Sequence, residues 1–329
     1  MENKFVVSSS PHIRDNASSR RIMIDVVIAL LPAAAAGVYF FGPRALAVIL
    51  ATVFSCVVSE YITRRVMKRE STINDFSAVV TGLLLALNLP PTIPIWIAAI
   101  GGAIAIVIVK QMFGGLGQNF MNPALAARVI LLVSYTEHMT NWVNPRGIDA
   151  ISTATPLEIA KSGALDAVSS ATSAYTEANI PSYAQLFIGQ VGGSIGEISA
   201  LALLLGAAYL LVRKVIGFQI PLTYIGTTAL FVWIFGGTSP FTGDFIYHVL
   251  AGGLILGAFY MATDYATCPV TNKGRIIMGL GCGILTGIIR LYTNYPEGVS
   301  FAIILMNIAV PLIDRYIVPK SFGGEKKVA

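Results

Sequence analysis

Residues 22–41, IMIDVVIALLPAAAAGVYFF, and residues 44–62, RALAVILATVFSCVVSEYI, are apolar runs joined by Gly42 and Pro43. Each matches the roughly 20 residues that carry a helix across the hydrocarbon core of a bilayer. Neither alternates apolar and polar residues with the period of two that a barrel strand needs. In lipid the backbone must satisfy its own hydrogen bonds, so runs of this kind are helical. Working outward from this pair, similar runs recur near 76–89, 94–112, 120–135, 197–212, 217–235, 245–262, 275–291 and 299–317. The chain has 329 residues, 55% of them hydrophobic and 12% charged, about half the charge of a soluble domain. The expected class is all-α, a polytopic membrane protein with about ten transmembrane helices.

Charge supplies the orientation. With a cytoplasmic N-terminus, seventeen of the 22 Lys and Arg fall in inside segments, Lys110 among them, and Arg128 falls within a span. Arg44, Arg146, Lys161 and Arg290 fall outside. The positive-inside rule expects this imbalance, so both termini are read as cytoplasmic and the long polar loop 136–196 as external. That loop divides the chain into residues 1–135, 136–196 and 197–329, with five spans on either side. An odd number per half means that the halves enter the membrane from opposite sides, the arrangement of a 5+5 inverted repeat.

The net charge of +5 sits at the ends of apolar runs, which points to membrane lipid and not to nucleic acid. The first 21 residues are polar, and no signal peptide is expected. Cys56, Cys268 and Cys282 form no CxxC pair, and His12, His138 and His248 share no ligand spacing, so no metal site is expected. Glu60 and Asp75 flank the basic loop 63–70 and most simply pair with it.

A loop of about 60 residues stands out where the other external connections are short; such loops are usually functional or disordered. Its later part, Ser169–Ala174, is low in complexity, whereas residues 149–158 read DAISTATPLE. Thr155-Pro156-Leu157-Glu158 is a capping box, with Thr at the N-cap, Pro at the first helical position and Glu at the third. On spacing alone it starts a short helix through about Lys161, ended by Gly163.

Asp149 to Thr155 also resembles the flavinylation motif D-x-x-[ST]-[GST]-A-T of bacterial respiratory flavoproteins. Gly114–Ala124, GGLGQNFMNPA, resembles a GGxGQNxFNPA segment, and Met261–Thr271, MATDYATCPVT, resembles MATDxxTxPxT. Together the three segments resemble the RnfD and NqrB family, the membrane subunits of ion-pumping electron-transfer complexes. The likeness runs through nearly the whole chain. The short stretch before the first span resembles the RnfD branch, since NqrB is longer there. Membership implies FMN esterified through its phosphate to Thr155, with Thr153 and Ser152 as competing hydroxyls. Asp149 then serves recognition by the flavin transferase or forms a turn, Ala154 leaves that enzyme room, and Arg146 lies close enough in sequence to meet the phosphate. The capping box and the ester are compatible, because a helix N-terminus favours a phosphate. Glu158 opposes that charge and is expected to face solvent or bond backbone.

Four residues within or beside the spans remain open. Asp264 ends the eighth span either as an interfacial cap or near an ion path or a second flavin. Arg128 either pairs with a carboxylate or serves a cofactor. Asn119 and Asn122, with Pro123, either shape the entry to the fifth span or build a site at membrane depth. Trp142, Tyr135 and Trp96 fit an interfacial aromatic belt, and Trp142 is also a candidate for flavin stacking.

The resemblance implies a subunit of an ion-translocating ferredoxin:NAD⁺ oxidoreductase in the inner (cell) membrane of a prokaryote. It would carry covalent FMN, and the family allows riboflavin as a second flavin. Its partners would be ferredoxin-like and NADH-binding subunits, a second FMN subunit, small membrane subunits and the flavin transferase. No nucleotide fingerprint or ferredoxin cysteine pattern occurs here, so the chain is not expected to be catalytic alone. A solute channel or secondary transporter with an inverted repeat is the alternative, and an assembly scaffold with an idle motif is a third reading.

Overall fold

The computed structural model describes residues 18–143, 145, 155–158, 161, 181–237, 239–293, 295 and 297–318. Every regular element among them is helical. Four helices are long and apolar enough to cross a membrane: α1 (Ser19–Phe41), α2 (Pro43–Val66), α12 (Asn272–Tyr292) and α13 (Val299–Tyr316). Shorter apolar helices lie between them. They are α3 (Ser77–Leu87), α4 (Ile95–Ile104, continued as a π-helix over Ala105–Gln111), α5 (Pro123–Ser134), α8 (Ala200–Val212) and α9 (Gln219–Phe235). Two short helices, α6 (Thr136–Met139) and α7 (Tyr183–Ile188), flank the segment after α5.

Local chemistry sets the element ends. Ser18 caps α1 by accepting the Arg21 N–H, and Asn122 caps α5 ahead of Pro123 by accepting the N–H groups of Ala124 and Leu125. Gly42, at φ 78°, makes the sharp joint between α1 and α2, a conformation that side chains disfavour.

The expected eighth span, 245–262, is not one helix. It is split into α10 (Phe245–Leu250) and α11 (Leu254–Leu256, continued as a π-helix over Gly257–Met261). Gly252 and Gly253, at φ 73° and 65°, turn the chain between the pieces. A second interruption follows α3, where Asn88 to Pro94 separates two half-length helices. The N–H groups of Ile195 and Gly196 donate to the Leu89 and Leu87 carbonyls there, at 3.0 and 2.8 Å. A segment after α7 thus supplies donors that the broken helix lacks.

Lipid tails give helices no hydrophobic reason to associate, so close approach relies on small residues. Gly279, Gly283 and Gly287 form such a stripe on α12 against Thr223, Thr227 and Phe231 of α9. A Cβ added at Gly283 would lie 2.6 Å from that of Thr227 and 3.0 Å from the Thr228 nitrogen. Gly82 and Gly102 play the same part against α2, meeting Val53 and Thr52. Phe54, Leu222, Leu312 and other large apolar side chains remain exposed on the outer faces, as suits a lipid-facing surface.

Replacing Gly283 with Leu should force α9 and α12 apart. The expected cost is about 1–3 kcal/mol, read as a lower midpoint in thermal unfolding of the detergent-solubilised chain. The same change at Gly226, which has open space around its Cβ, should shift the midpoint much less.

Candidate functional site

Thr155 lies at the start of a helical turn, residues 156–158. Glu158 N–H donates to Thr155 Oγ1 at 3.3 Å, and Thr155 N–H donates to Glu158 Oε2 at 2.8 Å. This reciprocal pair is the capping box that the spacing indicates, and Glu158 bonds backbone as expected. Tyr247 of α10 donates its hydroxyl to the Pro156 carbonyl at 2.9 Å. Leu157 packs with Leu186, Val191, Tyr247 and Ala251. Gly252 lies so close that any Cβ there would collide with Leu157. Lys161 donates to the Thr293 carbonyl. The segment is therefore seated on the break between α10 and α11, and Thr155 itself is only 2% exposed. Arg146, Asp149, Ser152, Thr153 and Ala154 lie outside the described residues.

Beneath this segment is a charged layer. Arg290 of α12 is 3% exposed. It donates to the carbonyls of His248, Ala251 and Gly252, at 2.5, 3.1 and 2.9 Å. Arg128 of α5 donates to the Asn88 carbonyl at 3.2 Å and to Ser300 Oγ at 2.5 Å, and pairs with Glu297. Arg128 thus pairs with a carboxylate, one of the two readings open to it. Glu197 accepts from Ser194 at 2.5 Å and stands within electrostatic reach of Glu297, Arg128 and Arg290. Arg44 donates to the carbonyls of Pro91 and Thr92, at 3.2 and 2.8 Å. Of the four basic residues read as external, the three that are described each hold a backbone carbonyl.

At the opposite helix ends, Asn119, Asn122 and Asp264 come together with Thr81 and Lys110 around a cavity. Its remaining walls are mostly apolar, among them Val26, Leu84 and Phe259. This mix of apolar walls and few polar groups is typical of small-molecule pockets. Asn122 Nδ2 also donates to the Met261 carbonyl at 3.3 Å, and Asn119 Nδ2 to that of Met121 at 3.0 Å. Asn307, oriented to satisfy its neighbours, accepts from the Asn122 N–H at 3.1 Å and donates to the Thr267 carbonyl at 3.2 Å. Asp264 lies beyond the last turn of α11 and accepts from the Ala266 N–H and the Thr267 hydroxyl, at 3.4 and 3.2 Å. Burial pushes its carboxyl above the usual range, opposed by those two donors and by Lys110. It caps a turn and lines the cavity at once.

Lys110 and Glu60 correct two expectations. Lys110 is 2% exposed and Glu60 fully buried, and they pair at 3.0 Å. Ser77, Thr72 and Gln111 complete their hydrogen bonds. Glu60 therefore does not pair with the basic loop 63–70, and Lys110 is not an interfacial loop charge. Asp75 bonds the N–H and hydroxyl of Ser77, at 2.8 and 2.5 Å, and likewise leaves the loop unpaired. Trp96 and Tyr135 meet edge to face with centroids 5.5 Å apart, and Trp142 is buried.

The family model for NQR2, RnfD and RnfE matches residues 6–323. The chain belongs to that family. Similar members are named as D subunits. One is the D subunit of the Na⁺-translocating ferredoxin:NAD⁺ oxidoreductase complex of Acetobacterium woodii, 49% identical over 99% of this chain and 97% of that protein. Another is the D subunit of the proton-translocating ferredoxin:NAD⁺ oxidoreductase complex of Clostridium ljungdahlii, 48% identical over 99% and 98%. The D subunit of the ion-translocating oxidoreductase complex of Halorhodospira halophila is 38% identical over 96% and 94%. The first two are named for different ions at near-equal identity, so overall likeness does not select the ion.

Reasoning from sequence missed Glu197, Glu297 and Asn307, whose partners lie far away along the chain. Removing one member of a buried ion pair strands the other charge. Lys110→Met should therefore cost about 3–5 kcal/mol in thermal unfolding, and the double variant Glu60→Gln/Lys110→Met should recover much of it.

Proposed function

We propose that this chain is the D subunit of an ion-translocating ferredoxin:NAD⁺ oxidoreductase complex, and that it carries FMN esterified to Thr155. It would lie in the cell membrane of a prokaryote with both termini cytoplasmic and residues 136–196 outside. Ferredoxin-like and NADH-binding subunits, a second flavoprotein subunit and small membrane subunits would complete the complex.

The observation that carries the reading is the position of the Thr155 hydroxyl at a capped helix start, within a sequence that fits the flavinylation motif. The dipole of a helix start favours a phosphate, although the Thr155 and Glu158 N–H groups are already bonded within the capping box. The fit has one internal conflict. Glu158 holds the Thr155 N–H, so its carboxylate and the phosphate compete for the same positive end. FMN supplies the electron carriage when bound. The chain holds its phosphate at Thr155 and anchors that segment through Tyr247, Leu157 and Lys161 to the bundle.

The cavity at Asn119, Asn122, Thr81 and Asp264 suits a second, non-covalent flavin such as riboflavin. Its apolar walls fit a fused ring, and its amides and carboxyl offer both donors and acceptors. The two broken helices also suit a secondary transporter, whose sites form where helices are interrupted. The flavin separates the readings.

Coexpressed with a flavin transferase, the chain should give a fluorescent band on a denaturing gel. Thr155→Val should leave it dark and Thr153→Val should not. A fluorescent Thr155→Val band would overturn the assignment to Thr155. A dark wild-type chain from its own host would favour the transporter.

Seating of the segment has a kinetic consequence. The Thr155 hydroxyl is buried once residues 155–158 dock, so transfer is expected before docking. Transfer of the FMN phosphoryl group to the purified, folded chain by the flavin transferase, from a flavin adenine dinucleotide donor whose pyrophosphate bond breaks and releases AMP, should be slow, and Leu157→Ala, which loosens the dock, should speed it severalfold. Equal rates, followed by in-gel fluorescence, would argue against this order.

A further inference from the structure

At the helix ends remote from Thr155, a second cleft opens between the end of α8 and the starts of α9 and α12. Lys214, Gly217, Gln219, Tyr265, Cys268 and Arg275 line it. Its character differs from that of the cavity at Asn122 and Asp264, because two cations from separate elements border it.

Neither cation is neutralised by a neighbour. Among the described residues, ion pairs join Lys110 to Glu60, Arg128 to Glu297 and Arg213 to Asp25; Lys214 and Arg275 have none. Arg275 Nε donates to the Pro269 carbonyl at 3.1 Å, which fixes the guanidinium by one edge. A Cβ on Gly217 would lie 3.9 Å from Arg275 Nη1 and would strike Gln219 Oε1. Glycine at 217 thus leaves room beside the guanidinium that only the movable end of the Gln219 side chain enters. Asp314 is turned to the Val270 N–H and Asp264 to its own turn. The α9 helix begins at Gln219 with no side-chain cap on its first N–H groups. Gln219 Oε1, an acceptor, is buried without a hydrogen-bond partner, so the amide must turn its N–H groups toward the cleft to serve an anion. Two free cations and an uncapped helix start facing one cleft form a receptor for an anion.

The surroundings indicate which anion. Val212, Phe218, Leu222 and Val270 are largely exposed apolar side chains next in sequence or one turn from the cleft residues. They offer lipid-facing surface beside a charged cleft. The orientation proposed above puts this end at the cytoplasmic leaflet, where anionic lipids concentrate and basic pockets between helices take their headgroups.

We propose that this cleft binds a phosphate group, and that its source is the headgroup of an anionic phospholipid of the inner leaflet. Lys214 and Arg275 contact the phosphate, Gly217 keeps the entrance open, and Phe218 and Leu222 lie along the acyl chains. The flavin assignments play no part in this inference; the side of the membrane rests on the proposed orientation.

Cys268 provides the readout. It lines the cleft and is half-buried, whereas Cys56 and Cys282 are fully buried. Burial pushes its thiol up to about 11, and Arg275 opposes that shift. An anion on Arg275 therefore slows thiol labelling both by cover and by charge. The full-length chain, stripped of lipid in a neutral detergent, is labelled with a maleimide. Labelling is followed by mass spectrometry in the presence of phosphatidylglycerol, phosphatidylcholine or inorganic phosphate. Phosphatidylglycerol should protect Cys268 severalfold, and phosphatidylcholine should not. Lys214→Gln/Arg275→Gln should raise the lipid concentration needed about thirtyfold. Gly217→Val, which keeps every charge, should also abolish protection, so misfolding of the double variant does not decide the matter. Protection by millimolar phosphate without protection by phosphatidylglycerol would overturn the lipid source and keep the anion site. Labelling equal under all three conditions would overturn the site itself.

Discussion

Arg128, Arg290 and Arg44 hold backbone carbonyls at the two places where helices break. A carbonyl without a partner in hydrocarbon costs several kcal/mol, so an interrupted helix survives within a membrane protein only where other groups satisfy its ends. Arg290 covers three carbonyls at the end of α10, and Arg128 and Arg44 cover those of Asn88, Pro91 and Thr92. The guanidinium suits the task because its fork can serve several acceptors at once. Part of the charge that this brings into the bundle is balanced by Glu297, which pairs with Arg128.

This arrangement also positions the Thr155 segment. Leu157 fits against Gly252 because the break has no side chain there, and Tyr247 reaches Pro156 from the last full turn before it. The proposed flavin anchor is thus seated where the backbone is irregular and where the buried charges gather. At the other helix ends a different polar group, Glu60 with Lys110, borders the cavity of Asn122 and Asp264. The long apolar helices span the distance between these two polar layers.

Features set by local rules were legible in the sequence. The apolar runs marked the helices, Asn122-Pro123 marked a helix start, and Thr155 to Glu158 marked a capping box that the structure forms. Arg128 announced itself as a charge too deep to stand alone. Other features depend on distant partners and were not legible. Glu60 and Lys110 are 50 positions apart, and nothing in their spacing joins them; Lys110 looked like one more basic residue at a span end. The break at Gly252 and Gly253 was hidden because isolated glycines in an apolar run are tolerated in helices. Its necessity shows only when Leu157 and Arg290 arrive from elsewhere in the chain. Arg44, Lys161 and Arg290, read as external, looked like exceptions to a charge rule, and became intelligible once their carbonyl partners were known.

The proposed flavin sits on one particular hydroxyl, and tandem mass spectrometry of the chain purified from its own membrane can locate it. An FMN phosphoester is expected on the fragment containing Thr155, with Ser152 and Thr153 unmodified. An unmodified Thr155, or an adduct located on another side chain, would contradict it.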